Sequence, residues 1–452
     1  VDRRNLLASV GVLAASPSLV LARPLSPGRR VRPGDAAWPS AAAWDGLKAQ
    51  VGGRLIKVHS PLADCVGAPE SPASAELFKN LRNPFFIGDS VALTQTLGWT
   101  DAWTSSPSVY AVAAESAQDV AAAVNFAREH RLRLVVKGGG HSYLGTSNAP
   151  DSLLIWTRAM HATALYDSFV AKGCAGKMAP EPAVSIGAGA MWMQAYDAVT
   201  TKGGRYVQGG GCTTVGVAGL VQSGGFGSFS KAFGTAAASL LEAEVVTADG
   251  VVRVVNPCSD PDLFWALKGG GGGTFGVVTR LTLRTHALPS MFGAVSAKIE
   301  AKSDAAYGRL VERVVAFYRD SLMTPHWGEQ IRFRSGNRLS IDMVFQGLDQ
   351  KTAQDTWKPF FDWVAAAPAD YDMARPLILA LPARKFWDAG FMKALPGVVR
   401  ADDRPGAPAD TLAAAIAAAT GSAGSAGGRT DRGRAHLGRV AAFQQGIGRR
   451  AR

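Results

Sequence analysis

The sequence predicts an α+β protein in two parts, and three observations carry that expectation. Short apolar runs alternate with helix-period stretches between about residues 109 and 289. Three glycine-rich runs fall between them. Beyond Met291 the glycine thins out, and strand patterns alternate with long helices. The first part is placed at residues 76–289 and the second at 290–400. The second is expected to be an α/β unit whose mostly antiparallel sheet has one face covered by helices and the other free to roof a ligand.

Taken in order, residues 23–75 are rich in Pro, Gly and Ala and read as linker and irregular structure. Residues 109–113 form a short apolar strand. Ser116 is the expected N-cap of a helix, with Val120, Val124 and Ala127 at helical spacing. Residues 132–136 make a second strand that runs straight into glycine, a β-α-β unit delivering a glycine loop. It lacks the Gly-x-Gly-x-x-Gly that opens a helix directly after a strand, which argues against a nicotinamide Rossmann fold. Strands are expected at 153–156, 183–187, 242–247 and 277–284, and helices at 191–202 and 262–268. In the second part, helices are expected at 306–322 and 352–366, and strands at 330–333, 339–345 and 377–381.

The net charge of +12 sits at the ends of the chain. Residues 1–32 carry six Arg and one Asp, and residues 397–452 carry nine Arg and four Asp, so the body is nearly neutral. A nucleic-acid partner is therefore not expected. Asp2-Arg3-Arg4-Asn5-Leu6-Leu7 opens a weakly apolar run that closes on Val20-Leu21-Ala22. Residues 1–22 thus read as an export signal of twin-arginine type, and the protein as periplasmic or extracellular without stable membrane insertion. No Cys-x-x-Cys or close His pair occurs, so no metal site is expected. The sequence is silent on oligomeric state.

The glycine runs hold the chemistry. The first reads Lys137-Gly138-Gly139-Gly140-His141-Ser142-Tyr143, with Gly145 close behind. The second runs from Gly209-Gly210-Gly211-Cys212-Thr213-Thr214-Val215-Gly216 through Gly219 to Gly224-Gly225-Phe226-Gly227. The third is Lys268-Gly269-Gly270-Gly271-Gly272-Gly273-Thr274-Phe275-Gly276. Glycine loses the most backbone entropy on folding, so such runs imply a ligand that the backbone approaches closely, often one bearing phosphates. Two of the runs also carry a nucleophile, His141 and Cys212, which a plain phosphate cradle does not need.

In these residues the chain resembles the berberine-bridge-enzyme-like branch of the FAD-linked oxidases. The resemblance is strong over residues 99–286 and weaker to about 408. It implies a two-part FAD-binding domain of the PCMH type followed by a substrate-binding domain. It also implies FAD held by two bonds, from His141 to the 8α carbon and from Cys212 to C6, the latter needing a thiolate. Gly138, Gly139, Gly140, Ser142, Gly145, Gly189, Val215, Gly216, Gly219, Gly224, Gly225, Gly227, Gly273, Phe275 and Gly276 are the further cofactor-contacting candidates.

The implied reaction passes a hydride from an alcohol, sugar or related small metabolite to the flavin, and dioxygen is reduced to hydrogen peroxide. A dehydrogenase with another acceptor and an impaired flavin-binding protein are the alternatives. By the same resemblance Val215 faces the flavin where dioxygen approaches, and its small volume favours an oxidase. Leu220 stands where related chains carry histidine and cannot hydrogen-bond the ring.

Catalytic candidates are Glu329 and Gln330 on an expected strand, and Tyr143; Arg332 shares a face with Gln330, and Tyr206 flanks the second run. With Cys212 committed to flavin, an oxidising compartment permits one disulfide among Cys65, Cys174 and Cys258, with the pairing open. Residues 401–452 are mostly Ala, Gly and Arg and read as a divergent, mobile tail.

Overall fold

The computed structural model describes residues 30–96, 98–99 and 103–394; the expected export signal and the expected tail lie outside the described residues. The first part is built on two main sheets, of four and five strands. In the smaller one, Leu55–Lys57 runs antiparallel to Tyr110–Ala113, which is parallel to Ser152–Trp156, itself parallel to Arg133–Lys137. Helix Ala117–Glu129 makes the crossover. Ser116 caps it by accepting from Asp119 N, and Asp119 returns the bond to the Ser116 backbone, so the expected N-cap becomes a full capping box. Its apolar face, Val120, Ala123, Val124 and Ala127, is buried.

Of the stretch 23–75, expected as linker and irregular structure, the described residues 30–75 carry regular elements. Helix Ala41–Gln50 is capped by Ser40 and buries Trp44 and Leu47, and Leu55–Lys57 forms an edge strand. Trp44 stacks on Tyr110 at 4.1 Å. Three large apolar side chains at helical spacing (Trp44, Leu47 and Val51) suffice for docking.

The second sheet has five antiparallel strands in the order Val252–Val255, Leu240–Val246, Val277–Arg284, Glu181–Gly187 and Thr163–Phe169. The last is an exposed edge strand. A Cys174–Cys258 disulfide settles the open pairing and leaves Cys65 and Cys212 as thiols.

The second part is a wholly antiparallel sheet: Trp327–Arg334, Arg338–Gln346 and the central Met291–Ala301. Both Leu377–Pro382 and Tyr371–Met373 pair with the far edge of the central strand. Helices Asp304–Phe317 and Gln350–Ala365 cover one face, burying Leu310, Val314, Trp357 and Phe360 against Val295, Ile299, Ile341 and Met343. The mixed α/β architecture with a mostly antiparallel sheet is as expected. The opposite face begins apolar, and Phe292 and Ala294 join the core of the first part.

Candidate cofactor site

The strand Arg133–Lys137 delivers the first glycine run onto the second. A Cβ at Gly139 would stand 2.6 Å from Gly216 N and 2.7 Å from the Thr214 carbonyl oxygen, and one at Gly216 would stand 2.8 Å from Gly139 N. The two runs cross backbone on backbone, which only glycine permits. The third run meets the second through a hydrogen bond from Gly271 N to the Gln222 carbonyl at 2.8 Å.

That crossing brings the two nucleophiles together. His141 Nε2 lies 3.0 Å from Thr214 Oγ1, and Cys212 Sγ lies 3.7 Å from the same oxygen. Thr214 itself is buried, at 1% exposure, while Cys212 is exposed. Burial pushes the His141 imidazole down to about 4, opposed by a hydrogen bond with the Thr214 backbone. The ring is therefore neutral at pH 7, with a lone pair on one of its two nitrogens.

The glycines sort into two groups. A Cβ on Gly219, Gly224 or Gly273 would meet nothing within 4 Å, so bare backbone faces open space there. Gly189, Gly225, Gly227 and Gly276 are instead filled by protein: a Cβ would run into the Thr157 carbonyl, Ala236, the Gly209 carbonyl and Val245 respectively. These four were expected at the cofactor, and close packing on the side a Cβ would take is by itself a reason for glycine there. Ser142 organises its own loop, accepting from Leu144 N and Thr146 N. Gly138 and Gly140 sit in the crossing loop, and Gly145 adopts φ +71 against the Trp103 ring.

The open glycines, together with two buried carbonyl oxygens that have no protein partner among the described residues, Asn148 Oδ1 and Gln222 Oε1, fit a nucleotide with donor and phosphate groups. Val215 is half-buried and packs on the core beside Leu220. Tyr143, Leu144, Phe226 and Phe275 are all exposed beside the runs.

The catalytic candidates lie on different elements. Tyr143 is on the first run, whereas Glu329 and Gln330 lie on Trp327–Arg334, paired with Met343 and Asp342. Arg332 forms an ion pair with Asp342, a partner that sequence reasoning missed because the two meet only by register. Tyr206 is buried and gives its hydroxyl to Gln208, which makes it a core residue.

Sequence reasoning also missed Lys137. Its Nζ donates to the carbonyls of Ser90, Val91 and Leu93 at 2.5 to 3.0 Å, anchoring the first run from below. Among the described residues there is no cluster of three His, Cys, Asp or Glu able to hold a metal, and no helix is long and apolar enough to cross a membrane.

Comparison with known proteins agrees with this geometry. Residues 108–256 match the family model described as FAD binding domain. The chain is 37% identical over 264 residues to the VAO-type flavoprotein oxidase VAO615 of Thermothelomyces thermophilus, covering 57% of this chain and 44% of that protein. Among solved structures, the VAO-type flavoprotein MtVAO615 from Myceliophthora thermophila superposes with TM-score 0.69 at 29% identity, over 85% of this chain and 70% of that one. Berberine bridge enzyme from Eschscholzia californica shares the fold, with TM-score 0.53 at 19% identity over 73% and 60% of the two chains. The chain spans less than half the length of the curated relatives it matches. It thus carries an FAD-binding domain, and its fold is that of the VAO-type and berberine-bridge-enzyme-like flavoproteins.

Proposed function

We propose that the chain is an FAD-linked oxidase that bonds its flavin through His141 and Cys212 and takes a hydride from an alcohol, sugar or related small metabolite. The observation that carries this reading is the meeting of a neutral imidazole and an exposed thiol at one buried hydroxyl, beside open glycine backbone. Bound FAD would supply the redox step, with dioxygen as final acceptor. The protein would supply attachment, orientation and a substrate roof. The Cys174–Cys258 disulfide supports an oxidising compartment and so the export reading.

Attachment is tested by denaturing the purified protein in acid or urea. The yellow chromophore is expected to stay on the chain. His141→Ala should leave the cysteine bond and Cys212→Ala the histidine bond, and release of all flavin from unmutated protein would refute the reading. Oxygen as acceptor is tested by Val215→Ile, because one added methylene in a packed pocket closes a path the size of a diatomic molecule. Reoxidation of the reduced flavin should slow while its reduction by substrate is largely kept. Unchanged reoxidation in stopped flow would remove Val215 from that role.

A further inference from the structure

One hydroxyl serves both nucleophiles. Thr214 Oγ1 is 3.0 Å from His141 Nε2 and 3.7 Å from Cys212 Sγ, and with Thr214 at 1% exposure, bulk water is shut out as an alternative partner. A hydroxyl has a single proton to give and lone pairs to accept with. If it gives that proton to sulfur, its lone pair is left to accept Nε2–H. The opposite polarity puts a proton on sulfur and leaves Nε2 as the acceptor, so the imidazole proton sits on Nδ1. The first arrangement leaves the Nδ1 lone pair free and points a donor at the sulfur, where it can stabilise the negative charge that grows as the thiol gives up its proton. The second protonates Nδ1 and offers the sulfur no donor.

We infer that Thr214 is a positioning residue for flavin attachment: its hydroxyl accepts from His141 Nε2–H and donates to Cys212 Sγ, preparing the two nucleophiles together. This rests on the bicovalent attachment proposed above. At His141 a bond forms between Nδ1 and the flavin methyl carbon, and one C–H and one N–H bond break. At Cys212 a bond forms between Sγ and a ring carbon, and one C–H and one S–H bond are lost. Each attachment therefore removes two protons and one electron pair, which together reduce one dioxygen to hydrogen peroxide. Once Nδ1 is bonded and Nε2 has lost its proton, the same hydroxyl can turn and donate to Nε2.

The test uses the full chain, isolated flavin-free from riboflavin-starved cells and mixed with FAD in air, with acid-stable flavin followed over time. Thr214→Val keeps the shape and removes the hydroxyl, and Thr214→Ala repeats the loss without crowding. Both should still bind FAD that acid releases, while both bonds form roughly 10- to 100-fold more slowly, the range for losing a partner that orients an imidazole. Thr214→Ser should attach flavin at nearly the unmutated rate. A ¹⁵N-histidine spectrum of the flavin-free chain, with His141 assigned by His141→Ala, should show the proton on Nε2.

Attachment at the unmutated rate in Thr214→Val would overturn the inference while leaving bicovalent attachment standing. So would failure of Thr214→Ser, a proton found on Nδ1, or loss of FAD binding in both Val and Ala variants, which would assign Thr214 to packing. Absence of bonded flavin from the unmutated chain would overturn both readings.

Discussion

Lys137 ends the strand that leads into the first glycine run and His141 stands four residues on, and burial disfavours the charged form of each with different consequences. Lys137 is pushed down to about 7 by burial, yet three backbone carbonyls stand ready for the three protons of its ammonium group. Replacing it with Met would leave three buried acceptors unpaired, each costing about 1–3 kcal/mol. Lys137→Met should therefore destabilise the protein by about 3 kcal/mol or more in denaturant titration and loosen the first glycine run. A change within experimental error would show that the carbonyls find other partners.

For His141, burial favours the chemistry. An imidazole of ordinary pKa is about nine-tenths protonated at pH 5.5, which would slow attachment about tenfold. With the group pushed down to about 4, it stays neutral there. In Cys212→Ala, where only the histidine bond can form, attachment of added FAD to the flavin-free chain should run as fast at pH 5.5 as at pH 7.5 and fail only as pH falls toward 4. The unfolded chain takes up the His141 proton near pH 6.5, so between that value and about 4 it binds more protons than the folded chain. This group's contribution to stability therefore declines with acid over that window.

At the scale of elements, the free face of the second sheet is a grid fixed by register. Gly328, Val344, Ala294 and Leu379 form one row, and a Cβ at Gly328 would run into the Ser228 carbonyl, so this row lies on the end of the second glycine run. The next row is Gln330, Asp342, Ser296 and Leu377, and beyond it stand Arg332, Ser340 and Lys298. Side chains two apart on a strand share a face, so the polar rows extend from the row seated on the first part. If substrate groups are read there, Gln330→Ala and Asp342→Asn should each raise KM about fivefold, roughly the worth of one hydrogen bond, with kcat and melting temperature little changed. Unaltered KM in both would move substrate recognition elsewhere.

Three strands of this sheet were legible in the sequence, at 330–333, 339–345 and 377–381, whereas the central strand Met291–Ala301 and the short Tyr371–Met373 were missed. The Arg332–Asp342 pair was not legible, because a cross-strand partner depends on register between segments. Helix Ala41–Gln50 escaped notice because its few apolar positions lie in alanine-rich surroundings. The exposed strand Thr163–Phe169 lacks the buried alternation that reveals a strand. At the site, His141 and Cys212 announced themselves by their glycine context, whereas Thr214 is an ordinary threonine until the backbone crossing places it between them.

For the whole molecule, the break in glycine content near residue 289 suggested two separate units, but the hydrophobic core runs across it. Phe292, Ala294, Leu381, Phe386 and Trp387 from the second part pack in one cluster with Tyr196, Tyr206 and Phe229 from the first. Trp387 stacks on Tyr196 at 4.1 Å, and Phe229 stacks on Phe292 at 5.2 Å. The Tyr196 hydroxyl in turn donates to the Gly210 carbonyl at 2.8 Å, within the run that carries Cys212. Packing in the second part is therefore linked to the loop that carries Cys212 by two contacts. Truncating a buried aromatic costs about 3–5 kcal/mol, and a cavity beneath Tyr196 would also free the glycine run to move. Trp387→Ala should lower stability by that amount, and tryptophan fluorescence and flavin absorbance should report one shared unfolding transition. The variant should also hold less bonded flavin although residue 387 lies outside the FAD-binding stretch. Two separated transitions, or flavin content equal to the unmutated protein, would show that the two parts fold and load independently despite their common core.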